Sequence, residues 1–172
     1  MKKGFTLVEV LIMMLIILVL ATIAVPTYEK AIEKARLNEV RATLKRIYDS
    51  KLRIMDNLGK TTFSRTDFGL ENLDFQFKCQ PAQTSDNGHV VACNTDDFTY
   101  WISTQQGADG LPVCAARRKG ELTGAIFTYN GSPSVSPSEW FRCHDAGTGE
   151  KCLFYGMQWW DDNGRLCRPI NN

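Results

Sequence analysis

Glu9 is the side chain whose position most needs a chemical reason. It follows Phe5-Thr6-Leu7-Val8 and precedes an apolar run, Val10 to Val25, broken only by Thr22. An acid in such a stretch is costly to place in lipid, and ionisable groups held there are usually functional. Its chemistry is that of an anion awaiting a cation in apolar surroundings. The second reactive set is Cys79, Cys93, Cys114, Cys143, Cys152 and Cys167. Their even number suits a disulfide framework in an oxidising compartment. The paired spacings of a zinc site are absent, and the lone His89…Cys93 fragment is too little for one. With only His89 and His144 to draw on, no nucleophile–base order, paired-acid site or phosphate-binding glycine motif emerges. The chain is expected to be no enzyme, with no cofactor and no metal. Asp161-Asp162-Asn163-Gly164 lacks the later glutamate of a calcium loop and reads as a turn.

These residues must be positioned by a chain of 172 residues, which fits one modest domain plus an appendage. Its 20 Lys+Arg nearly balance 19 Asp+Glu, so no specific nucleic-acid site is expected. A hydrophobic share of 44% excludes wholesale disorder. As a helix, Phe5 to Val25 rises about 30 Å, enough to cross the hydrocarbon of a bilayer. Lys2 and Lys3 hold its leading end in the cytoplasm and send the remainder outward. A cleaved secretory signal or a plain anchor would account for the run, but neither accounts for Glu9. Pro26 has no N–H and crowds the turn at Thr22. A kink or a locally melted turn is expected there, partly compensated by the Thr22 hydroxyl.

Beyond Pro26 the apolar residues Leu37, Val40, Leu44, Ile47, Tyr48 and Ile54 recur mostly every three or four positions, with charges between them. That is an amphipathic helix whose stripe needs a cover. Gly59 fits the position just past its end, with Lys51 and Arg53 near the favourable C-terminal end. One helix is therefore expected from about residue 5 to residue 58. Its first half needs lipid or identical helices; its second half needs its own globular domain. Residues 59–97 read as a connection rich in turn signals, carrying a hairpin of Leu73 to Cys79 and His89 to Cys93. Phe98–Ser103, Leu111–Arg118 and Leu122–Tyr129 read as an antiparallel meander, one face of which covers the helix stripe. Gly156–Trp160 and Arg165–Arg168 suggest a terminal hairpin, with Trp159 and Trp160 on opposite faces. The fold class is thus α+β, a long N-terminal helix on an antiparallel sheet with a stapled head. Three disulfides are expected. Cys79–Cys93 would staple the first hairpin, and the rest pair either as Cys143–Cys152 with Cys114–Cys167, or as Cys152–Cys167 with Cys114–Cys143.

Lys3-Gly4-Phe5-Thr6-Leu7-Val8-Glu9 and the apolar run after it resemble the class III signal of type IV pilins and of the pseudopilins of type II secretion. The resemblance is strong over about the first 30 residues and looser over the whole layout. It implies a leader at residues 1–4, a membrane and filament-core helix at 5–27 and an amphipathic helix at 28–58. A variable segment at 59–97 and a sheet with a disulfide-bonded region at 98–172 would follow. It also implies that a prepilin peptidase cuts between Gly4 and Phe5 and methylates the new amine on Phe5. Glu9 then corresponds to the acid that guides assembly with identical or related subunits, and Pro26 to the helix-interrupting proline. Physical chemistry gives each part a reason: Gly4 leaves a narrow protease cleft unobstructed, and a buried amine needs an anion from a neighbouring copy. The implied protein waits in the inner membrane, head in the periplasm, until an assembly platform adds it to an extracellular filament. A pseudopilin of secretion or DNA uptake, or a membrane-tethered monomeric binding domain, are the alternative readings. The pairing Cys152–Cys167 resembles the C-terminal disulfide loop of many type IV pilins.

Overall fold

The computed structural model describes residues 4–59, 69–84, 88–102, 112–131, 136–137, 140–145, 147–160 and 167. The chain divides into two compact units, Met1–Asn38 and Glu39–Asn172. Helix α1 spans Leu7–Asn57, two residues inside the expected start and one inside the expected end. Leu58 and Gly59 close it with a turn. Gly59 has φ 62° and donates its N–H to the Asp56 carbonyl at 3.0 Å, a left-handed conformation that glycine adopts without strain.

The first unit is the leading part of α1. Every described residue through Ala31 is exposed, including the apolar side chains on all sides of the helix. Pro26 does not melt it: residues 22–26 are helical. The Thr22 hydroxyl donates to the Val19 carbonyl at 2.7 Å, and the Thr27 hydroxyl to the Ile23 carbonyl at 2.9 Å. The Thr22 hydroxyl therefore serves a carbonyl one turn back and does not replace the donor that Pro26 lacks.

The second unit builds a six-stranded antiparallel meander: β1 Gln80–Thr84, β2 Val90–Asn94, β3 Phe98–Ile102, β4 Val113–Arg117, β5 Ile126–Tyr129 and β6 Phe141–His144. Register places Cys93, Tyr100, Ala115, Phe127 and Cys143 in one row and Ala92, Trp101, Cys114 and Thr128 in the adjacent row on the other face. The first face meets α1, with the Tyr48 and Tyr129 rings edge to face at 5.4 Å and the Arg41 guanidinium over Phe141. Val40, Leu44 and Ile47 are fully buried beneath it. A second cluster of Ala92, Trp101, Cys114, Ile126 and Cys167 lies on the other side. Strands β2 to β6 are thus covered on both faces and carry no exposed position, whereas β1 at the edge is exposed throughout.

Three departures from the expected elements have identifiable causes. Leu73 to Cys79 is irregular, and the first strand begins at Gln80 instead. Burial does alternate over 73–79, but its aromatics pack on side chains: Phe75 lies under the Arg46 guanidinium and Phe77 against Tyr100. Alternation recorded burial there, not strand pairing. Pro81 is tolerated in β1 because that strand is an edge. The helix α2 (Glu150–Phe154) and strand β6 were not foreseen. Gly156–Trp160 forms no hairpin strand: Trp159 bridges Cys143 in parallel, and the Trp160 N–H donates to the Cys143 carbonyl at 3.2 Å. Its expected partners, 165, 166 and 168, and the turn at 161–164 lie outside the described residues.

The structure pairs Cys79–Cys93, Cys114–Cys167 and Cys143–Cys152. Cys152–Cys167 and Cys114–Cys143 are therefore excluded. Cys114–Cys167 encloses the longest segment, a separation of 53 residues. Replacing both by Ser is expected to cost about 4 kcal/mol on the chain-entropy account, against about 3 kcal/mol for Cys143–Cys152. Urea unfolding of the two double variants checks this; an equal or reversed order would contradict it.

Lys51 continues the buried stripe at the fourth position after Ile47 and is 1% exposed, its ammonium 4.6 Å from the Tyr48 ring centre. It is a core residue, not the helix-end cation that the sequence suggests. Burial pushes it down to about 7. The unfolded chain keeps this proton up to about 10.5, so between these values the unfolded state binds more protons and stability rises with pH. Lys51→Met is expected to add roughly 5 kcal/mol at pH 6, with the gain vanishing near pH 10.5. Unfolding midpoints of both proteins across that range provide the measurement.

Candidate functional site

The residues singled out at the N-terminus form one small constellation. Gly4, Phe5 and Thr6 precede α1 in non-helical conformation and are exposed. Met1 to Lys3 lie outside the described residues. A Cβ built on Gly4 meets nothing within 4 Å, so nothing in the chain's own packing requires glycine there. The requirement for a bare backbone, if it operates, comes from a molecule that binds the chain.

Glu9 is engaged locally. Its Oε2 accepts the Thr6 backbone N–H at 2.8 Å and the Thr6 hydroxyl at 2.8 Å. In return the Glu9 N–H donates to Thr6 Oγ1 at 3.3 Å. Thr6 also accepts the first helical bond, from the Val10 N–H. This is a capping box, with Thr6 as the cap and Glu9 as the third helical residue. Thr6 is the capping residue that the sequence reading missed. Its signal was present, since Thr-x-x-Glu before an apolar run is the pattern of such a box. The cap uses one carboxylate oxygen, leaving Oε1 outside it. Glu9 can therefore hold the helix start and still face an external cation.

From Glu9 onward α1 is, among the described residues, the one helix long and apolar enough to cross a membrane. Elsewhere the titratable groups serve the fold. Asp74 accepts two bonds from Arg53, at 2.6 and 3.0 Å, which together with the Ser50 side chain hold its carboxyl below the ordinary range, and its backbone N–H donates to Ser50 Oγ at 3.1 Å. Glu71 takes the Val90 N–H and pairs with His89 at 2.7 Å. These bonds tie the segment after α1 to the helix and to β2. No three His, Cys, Asp or Glu side chains converge as a metal site among the described residues. His144 Nδ1 contacts the Trp160 carbonyl at 2.8 Å, and His89 Nδ1 the Glu71 carboxylate at 2.7 Å.

The model of the prokaryotic N-terminal methylation motif matches residues 1–25. The chain carries a class III prepilin signal. That signal belongs to precursors of type IV pilins and pseudopilins, and it implies processing by a prepilin peptidase and methyltransferase. The architecture agrees with it, being the pilin-like combination of one long N-terminal helix, an antiparallel sheet and disulfides. No curated protein and no solved structure matches the chain. The matched motif covers Gly4, Phe5 and the apolar half of α1 together.

Proposed function

We propose that this prepilin is a structural subunit of an extracellular type IV pilus filament, cut between Gly4 and Phe5 and assembled through α1. One observation carries the reading: the exposed segment of α1 from residue 7 to residue 25, apolar on every side, bears a single carboxylate, Glu9, close behind the processing junction. Such a surface is stable in lipid, and packing among identical helices offers it an equivalent apolar environment. Cleavage removes Lys2 and Lys3, which resist extraction from the membrane, and creates the amine that Glu9 of a neighbouring subunit pairs with. This pairing sets axial register more than it adds affinity. Pro26 marks where the core helix bends or extends as subunits pack. An inner-membrane assembly platform and an ATPase outside this chain supply the machinery, and the three disulfides suit a head that leaves the cytoplasm.

Mass spectrometry of purified surface filaments tests this. The expected result is this chain as a repeating component, beginning at an N-methylated Phe5. A chain that starts at Phe5 but is confined to a short periplasmic assembly would support a pseudopilin. An uncut chain extracted only as a monomer would support a tethered domain.

A further inference from the structure

The capping box at Thr6 and Glu9 has a consequence for processing that the apolar run and its acid do not. In a helix wound one turn further back, the Glu9 N–H would donate to the Phe5 carbonyl. The Thr6 N–H would likewise donate to the Lys2 carbonyl. The box takes both donors: Glu9 N–H goes to Thr6 Oγ1, and Thr6 N–H goes to Glu9 Oε2. The Thr6 bond is one of those that would carry α1 across the Gly4–Phe5 peptide, and the Glu9 bond is the one that would move the helix cap back from Thr6 to Phe5. Residues 4–6 are accordingly non-helical, and α1 begins at Leu7. Few other features oppose winding back. Phe5 and the lysines before it are acceptable helix residues, and Gly4 alone is a weak obstacle. The methylation motif matched over residues 1–25 includes this junction.

We propose that Thr6 is a positioning residue for prepilin processing: with Glu9 it stops α1 at Leu7 and holds the Gly4–Phe5 peptide outside the helix. The inference rests on cleavage at that peptide. Hydrolysis breaks the Gly4 C–Phe5 N bond; water's hydroxyl goes to the Gly4 carbonyl carbon and its proton to the Phe5 nitrogen. A protease must reach that carbonyl and the backbone beside it, which a helix would occupy with its own hydrogen bonds. Extended substrate backbone, by contrast, is open to main-chain recognition.

The experiment uses the full-length precursor in detergent micelles with a purified prepilin peptidase, following release of the Met1–Gly4 peptide by mass spectrometry. Thr6→Val keeps the shape and removes the hydroxyl; its cleavage is expected to fall on the order of five-fold. Thr6→Ser restores the wild-type rate. NMR shifts of the Thr6→Val precursor should extend helical character to Phe5, a change that a general loss of structure would not produce. Cleavage of Thr6→Val at the wild-type rate, or failure of serine to rescue it, overturns the proposal while leaving processing at Gly4–Phe5 intact. A wild-type precursor left uncut at that peptide removes the processing reading and this inference with it.

Discussion

Glu9→Gln is expected to leave the disulfide-bonded head folded and the precursor cut, yet to lower filament yield about ten-fold at pH 7. The substitution keeps the side chain's shape and its capping acceptor, so the start of α1 survives. What disappears is the negative charge opposite a neighbour's Phe5 amine. A buried amine without an anion can shed its proton, and an α-amine titrates near pH 8, so neutrality at pH 7 costs about one power of ten. The deficit should therefore narrow as the pH rises through 8, because the amine then becomes neutral without penalty. Sheared filament mass, compared with membrane-retained subunit at pH 7 and above 8, gives the measurement. A normal yield at pH 7 would remove charge pairing from the mechanism. A low yield unaffected by pH would assign the loss to shape and not to charge.

The same carboxylate shows how far sequence reasoning reached. Its cost in an apolar run was legible because the period of the run, the length of a bilayer and the rarity of an acid are all local facts. The stripe of Val40, Leu44 and Ile47 was legible for the same reason, since a helix repeats its faces every three or four residues. Lys51 was not. It falls on the stripe by spacing, but its charge argued for the surface, and only the surrounding packing buries it. Thr6 lay within reach of a local rule, because both partners of its box are three residues apart. The search for a long-range cation drew Glu9 away from that partner.

The sheet was legible where strands were bounded by turns and paired with their immediate neighbours. β3, β4 and β5 emerged with bounds trimmed by a few residues. Strand β6 was hidden because its neighbour β5 is reached through a polar stretch and because two of its four residues are Arg142 and His144. Phe141 and Cys143 make it a strand, through the Phe127 ring and the disulfide to Cys152. The cysteine pairing illustrates the same limit. Several pairings satisfied the sequence, and the choice depends on which sheet face each sulfur occupies. Cys93 and Cys143 share the helix-facing row while Cys114 faces the other way, so Cys114 meets Cys167 and not Cys143.

Gly4→Val is expected to have the larger effect on filaments, a loss on the order of a hundred-fold or more. The chain itself has no objection to a side chain at position 4, where an added Cβ meets nothing within 4 Å. Folding, membrane insertion and the three disulfides should therefore be unchanged. Cleavage should fail, because the bulk enters the peptidase cleft beside the scissile carbonyl. Two penalties then act together at assembly. Lys2 and Lys3 stay attached and must leave the cytoplasmic face or hold the subunit there. Phe5 has an amide in place of an amine, so the neighbour's Glu9 has no cation. An ordinary carboxyl lies much further from neutrality at pH 7 than an α-amine does, so the uncut chain leaves the group that is harder to neutralise without its partner. That asymmetry orders the two variants. Intact-mass measurement of membrane-extracted protein should show the precursor with its leader, and sheared fractions should contain little of it. Gly4→Ala, with one carbon added, should fall between. A Gly4→Val chain that begins at Phe5 at wild-type abundance would show that the enzyme does not need the bare backbone. Abundant filaments built from the uncut chain would show that the amine is not the partner of Glu9.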